Sequence, residues 1–308
     1  MGAVWDVLTN EVTYSSAVRF AALLLFAASG EWVAERAGTL NISVEGMLLS
    51  GAFASAVSID LVDSMWLALL IGALAGLLLS TVQANLSHRL PADQFVVGLT
   101  INILVLGLVG FLDDGLDPSV AGAGVVSVPL LSDIPLIGPA LFAQSWPLYL
   151  VYPLVPAMWW LVYRTRWGLE VRAAGEDPNS ADVSGIRVNA RRRQSIYLVG
   201  LTSGLGGAYF VLGAVGSFED SIIGGRGFIA IAAVIFGGWT LKGSVAGCVL
   251  FGAVVSFRLS LPQQGYDALG TELLQALPYI VTIAGMAMFA HRVRPPAALA
   301  KPFLRGLK

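Results

Sequence analysis

Long apolar runs alternate with short polar breaks along almost the whole chain. A helix crosses the hydrocarbon core of a bilayer with about 20 mostly apolar residues. The first run of that kind covers 17–34. A second follows the polar-tinged segment GTLNISVEGM, and a third covers 64–84. The fourth, 94–112, carries Asn102 near its middle. The fifth, 146–163, has Trp146, Tyr149, Trp159, Trp160 and Tyr163 placed like interfacial aromatics. A sixth covers 195–215. Two stretches follow, 227–239 and 244–260, joined at Thr240 to Gly243. The first is short for a full crossing, so the two read either as separate crossings or as a re-entrant pair. The last run is 273–290. This pattern predicts an all-α polytopic bundle of eight or nine membrane segments, one transmembrane domain over 1–308. Residues 1–16 are polar enough to lie outside the bilayer.

The breaks differ in charge, and that difference orients the bundle. Segment 164–193 is the most polar long stretch. It holds Arg164, Arg166, Arg172, Arg187, Arg191, Arg192 and Arg193, seven of the 18 basic residues. The 88–89 break carries His88 and Arg89, and the tail carries Arg292, Arg294, Lys301, Arg305 and Lys308. Segment 113–145 has Asp113, Asp114, Asp117 and Asp133 with no lysine or arginine. Basic loops stay cytoplasmic. The rule therefore puts 164–193 and the C-terminus in the cytoplasm, and 113–145 and the N-terminus outside. Within 164–193 a short helix is punctuated at both ends. Asp177 can cap free backbone N–H groups and Pro178 suits the first helical position. Gly185 can end the helix about two turns later in the left-handed conformation. Such a knob either docks on something or merely sits in a solvated loop that sets topology.

Composition agrees with a membrane protein: 56% of the 308 residues are hydrophobic and 12% charged, against roughly 25% charged in soluble domains. Mean hydropathy is +0.76. The net charge of −2 gives no nucleic-acid footprint. The single cysteine, Cys248, cannot form an internal disulfide and reads as a packing residue. The 35 glycines suit close helix packing in lipid. The first apolar run lacks a cleavage site, so no removable signal peptide is expected.

No phosphate-binding G-x-x-x-x-G-K-[ST] loop occurs. His88 and His291 are far apart at predicted membrane edges, and no nucleophile–base or metal constellation is visible, so neither a cofactor nor an enzymatic activity is expected. Gly204-Leu205-Gly206 lies in an apolar run and reads as helix packing. Glu31, Glu45 and Asn102 are costly in lipid unless they face protein or water. They either line a solute path or make hydrogen bonds that hold the bundle. No ladder of buried Asp, Glu and His suggests a proton-driven pump.

Three stretches together resemble a known family: ERAGTLNISVEGMLLSGAF (35–53), RAAGEDPNSADVSGIRV (172–188) and GRGFIAIAAVIFGGWTLKGSVAG (225–247), with LPYIVTIAGM (277–286) after them. In order and over nearly the whole chain they are similar to permease subunits of bacterial ABC importers for nucleosides and simple sugars, related to ribose and branched-chain amino-acid permeases. The resemblance implies a plasma-membrane translocation subunit that hydrolyses nothing itself. It implies three partners besides membrane lipid: an ABC ATPase subunit, a second and longer permease, and an extracytoplasmic substrate-binding protein. By the same resemblance Gly175, Glu176, Asp177, Pro178, Ala181, Gly185 and Ile186 form the ATPase-coupling segment. Asn41, Glu45 and Asn102 become candidates for the substrate pathway. A stand-alone secondary transporter or channel for a small polar solute is the rival reading.

Overall fold

The computed structural model describes residues 9–116, 118–263, 276, 280, 281, 283 and 294–304. From Glu11 four long helices follow one another: α1 (Glu11–Arg36), α2 (Val44–Val62), α3 (Met65–His88) and α4 (Gln94–Leu116). A small hairpin follows, in which β1 (Val125–Ser127) pairs antiparallel with β2 (Ala143–Ser145) around the short α5 (Ile137–Phe142). A 3₁₀ turn, Trp146–Leu150, leads into α6 (Val151–Arg164). Helices α7 (Arg166–Glu176) and α8 (Pro178–Val183) fill the arginine-rich segment. Helix α9 (Val188–Tyr209) runs on into a π-helical stretch, Phe210–Val215. Helices α10 (Arg226–Phe236) and α11 (Leu241–Gln263) follow.

Among the described residues six helices are long and apolar enough to span a membrane: α1, α2, α3, α4, α9 with its π stretch, and α11. The fold is thus mostly helical, and the two three-residue strands qualify the all-α expectation. The predicted fifth run, 146–163, is helical throughout, but the 3₁₀ start leaves α6 only 14 residues. Helix α1 begins at Glu11, earlier than expected, where the Asn10 side chain accepts the Val12 N–H at 2.9 Å and caps it. The predicted run 273–290 lies almost wholly outside the described residues.

Helices α1, α2 and α9 form the centre and are mostly buried, while α3 and α4 are less buried. Leu70, Leu74 and Leu78 on α3 and Ile103, Leu106 and Phe111 on α4 present an apolar outer face. Such faces suit lipid, which needs no polar surface opposite them. In the centre the backbones approach closely. A Cβ built on Gly204 would lie 2.5 Å from the Gly72 carbonyl oxygen, and one on Gly206 would lie 2.7 Å from Phe26 Cβ. The G-x-G of the apolar run is therefore helix packing, as its context predicts.

Two ends of the bundle can be told apart. At one, Arg36 faces Glu176 at 3.7 Å, Thr39 hydrogen-bonds His88, and the Leu40 N–H donates to Gln94. Segment 294–304 returns to this end, where the Ala298 N–H donates to the Gly175 carbonyl. At the other, Ser256 Oγ donates to the Thr13 carbonyl, Arg19 donates to Gln144, and the Trp66 and Trp146 rings meet at a tilt of 40°.

Candidate functional site

The arginine-rich segment folds as two capped helices. Thr165 Oγ1 accepts the Gly168 N–H and starts α7. Asp177 then caps α8, with Oδ1 accepting the N–H groups of Asn179 and Ser180 at 3.1 Å each. Hydrogen bonds from the Ser180 hydroxyl and backbone hold the Asp177 carboxyl below the usual carboxylate range, so the charged form that caps best is favoured. Pro178 occupies the first helical position. Gly185 ends the helix at φ +87°. Its N–H donates to the Asp182 carbonyl at 2.9 Å and the Ile186 N–H to Ala181 at 3.0 Å. This is the paired reverse bond of a Schellman cap. Six residues are thereby rigid at both ends without help from outside.

The side chains of this segment divide by face. Glu176, Asp177, Asn179, Ser180, Val183, Ser184 and Gly185 are exposed, Val183 at 90%. Pro178 and Ile186 are half-buried. Ala181 is only 4% exposed and packs with Ala174, Val188 and Phe303 of the same chain. The outward apolar contact of α8 is therefore Val183, not Ala181. Gly175 also faces inward: a Cβ there would lie 3.0 Å from the Gly38 backbone nitrogen and collide with the Arg36 carbonyl.

The three expected pathway residues gather around the start of α2. Asn102 Oδ1 accepts the Gly46 N–H at 2.8 Å, and its Nδ2 donates to the Ile42 carbonyl at 2.8 Å. Asn41 Oδ1 accepts the Ser43 hydroxyl at 2.7 Å and the Ser43 N–H at 3.1 Å. Its own N–H donates to Glu31 at 3.2 Å. Glu45 reaches across to α10, where Oε1 accepts the Gly225 N–H at 2.7 Å and Oε2 the Gly227 N–H at 2.6 Å. A carboxylate at a helix N-terminus is well placed, because the free N–H groups there point outward and carry the positive end of the dipole. Gly227 has to lack a side chain, since a Cβ would lie 2.6 Å from the Glu45 Cα.

With 11 residues, α10 is only about 16 Å long, roughly half a bilayer core. Its far end is pinned to α1. The Trp32 indole N–H donates to the Trp239 carbonyl at 2.9 Å, and the Trp239 indole N–H donates to buried Glu35. Trp239 itself sits at φ +54°, a left-handed conformation rare for a bulky residue. Glu45 at one end and Trp32 with Glu35 at the other thus fix the α10–α11 turn against the bundle.

A model of the branched-chain amino acid transport system permease component matches residues 13–286. The chain belongs to that permease family. Several relatives align with it over most of its length. It is 35% identical to a nucleoside ABC transporter permease protein of Lactococcus lactis, over 95% of this chain and 96% of that one. It is 33% identical to a guanosine ABC transporter permease protein of Bacillus subtilis, over 93% and 94%. A putative glucose ABC transporter permease protein of Haloferax volcanii is 30% identical, over 95% and 97%.

For this permease, the motif NISVEG and the motif GRGF meet in space, joined by Glu45 and Gly227 across 182 residues of chain. Sequence reading missed three participants. Trp239 and Glu35 were read as parts of motifs and given no role. Arg192 was read as one of several loop arginines, yet it is fully buried. The apolar run that starts at Ile196, one turn further along the same helix, was the available signal.

Proposed function

We propose that this permease is the translocation subunit of an ATP-driven importer for a nucleoside, with a simple sugar as the second substrate class. Family membership carries the importer reading, and the names of the relatives favour nucleosides. Substrate choice would rest largely with an extracytoplasmic binding protein. ATP hydrolysis would occur in a separate ABC ATPase, and a second, longer permease would complete the pore. The chain would form one domain in the plasma membrane. It would run N-terminus outside and C-terminus inside, with α10 and α11 as a short-and-long pair among eight or nine segments.

The capped α8 is proposed as the contact with the ATPase. A part that transmits force has to keep its shape, and α8 is closed at both ends by its own residues. Glu176, Asp177, Pro178 and Gly185 would shape the contact, while Gly175, Ala181 and Ile186 would seat it on the permease. Glu45, Asn41 and Asn102 would shape the path by ordering the starts of α2 and α10.

Val183 supplies the test. Its side chain touches little of its own chain, so Val183→Asp should leave the permease folded in the membrane. It should lower co-purification of the ATPase by tenfold or more and remove transport-linked ATP hydrolysis, because a bare carboxylate would be buried in the partner's groove. Full ATPase retention with normal uptake in Val183→Asp would defeat the assignment of α8.

A further inference from the structure

Arg192 is wholly buried, and among the described residues no carboxylate forms an ion pair with it. Its guanidinium donates only to backbone carbonyls: Nε to Ala37 at 3.1 Å, Nη1 to Lys301 at 2.7 Å, and Nη2 to Ala174 and Ala298 at 3.4 Å each. These carbonyls come from three places, the end of α1, the last turn of α7 and segment 294–304.

The reason they are free lies in the capping of α8. The Ala174 carbonyl would ordinarily accept from residue 178, but Pro178 has no N–H. The Gly175 carbonyl would accept from residue 179, but the Asn179 N–H is turned to the Asp177 cap. The punctuation that makes α8 rigid therefore leaves two orphan acceptors at the end of α7. Arg192 takes the first and the Ala298 N–H, at 2.9 Å, takes the second. The Ala37 carbonyl at the end of α1 adds a further partially negative group, which suits a buried cation without a counter-ion. Gly38, at φ +83°, leaves room for the guanidinium, since a Cβ there would lie 2.8 Å from Nη2. The Ala300 N–H closes the ring by donating to the Gly38 carbonyl at 3.2 Å. Below it, Phe303 packs against Ala174, Ala181 and Val188, and its carbonyl accepts from Asn189 at 3.2 Å.

We infer that Arg192 is a positioning residue for coupling, locking α7–α8, segment 294–304 and the end of α1 into one rigid unit. A push on α8 then moves α1 directly, and α1 carries Glu31, Trp32 and Glu35, which hold Asn41 and the α10–α11 turn. The planar fork of arginine can serve carbonyls in three directions, which a lysine ammonium on a flexible stem cannot do with the same geometry. The inference rests on the reading of α8 as the ATPase contact.

The test uses the full permease with its ATPase, in a Cys248→Ser background, with spin labels at Ser184, just after α8, and Leu304 in the tail segment. Distances are measured by pulsed electron resonance without nucleotide and with ATP bound. With Arg192 present, one narrow distance should persist in both states. A distance that shifts on ATP binding would overturn the rigid unit, whatever any Arg192 variant does. In Arg192→Met the distribution should broaden and uptake should fall tenfold or more, with ATPase co-purification kept within twofold. Arg192→Lys should lie between. Uptake within twofold of normal in Arg192→Met would overturn the inference. Loss of ATPase binding belongs to the Val183→Asp experiment, so failure of the α8 assignment shows itself separately.

Discussion

Asn102 shows how a single polar side chain in an apolar helix can serve the backbone of another. Its amide is matched at both ends, an acceptor to the Gly46 N–H and a donor to the Ile42 carbonyl. Those groups are orphans of the turn that starts α2, and water cannot reach them in a bilayer. Asn102→Leu would leave both without partners, at about 1–3 kcal/mol each. We expect the purified variant to melt at a lower temperature and accumulate poorly, with uptake falling in step with the amount of folded permease. Full stability with lost uptake would instead make the amide a solute contact. From sequence, Asn102 stood out only as polar and mid-run. Its partner is 56 residues away, so periodicity alone could not tell a solute path from a structural bond.

At the level of elements, the α10–α11 turn depends on contacts that it does not make itself. Glu45 binds two N–H groups at the start of α10. Glu45→Gln keeps the shape but puts an amide NH₂ where an acceptor is needed. We expect trypsin or thermolysin to cut the 216–226 segment faster in this variant, and its melting temperature to fall. Unchanged proteolysis and melting would show that the carboxylate does not hold α10. The boundaries of α8 were legible because Asp, Pro and Gly at fixed offsets act locally. Ala181 was not legible, because which face of a six-residue helix turns inward is decided by Ala174, Val188 and Phe303. Helix α7 was missed for a related reason: its arginines read as loop, while Val171 and Ala174 bury the opposite side.

For the whole molecule, the proposed topology rests on charge along the chain and on the two ends of the bundle. The arginine-rich segment and segment 294–304 share an end, while Thr13 meets Ser256 at the other. Cysteines at Ser119 and Ser180, in a Cys248→Ser background, should therefore react with impermeant reagents from opposite faces of the membrane. Labelling from the same face would sink the proposed orientation. The helical membrane class, the polar breaks and the capped helix were determined by the sequence itself, because hydropathy and capping act over a few residues. The family was legible too, through short ordered motifs. What those motifs do was decided only by the tertiary structure. Glu45 meets Gly227, Glu35 meets Trp239, and Arg192 meets Ala298 across 182, 204 and 106 residues. A buried polar group must find its partner wherever the packed chain puts one, and no local pattern records where that is.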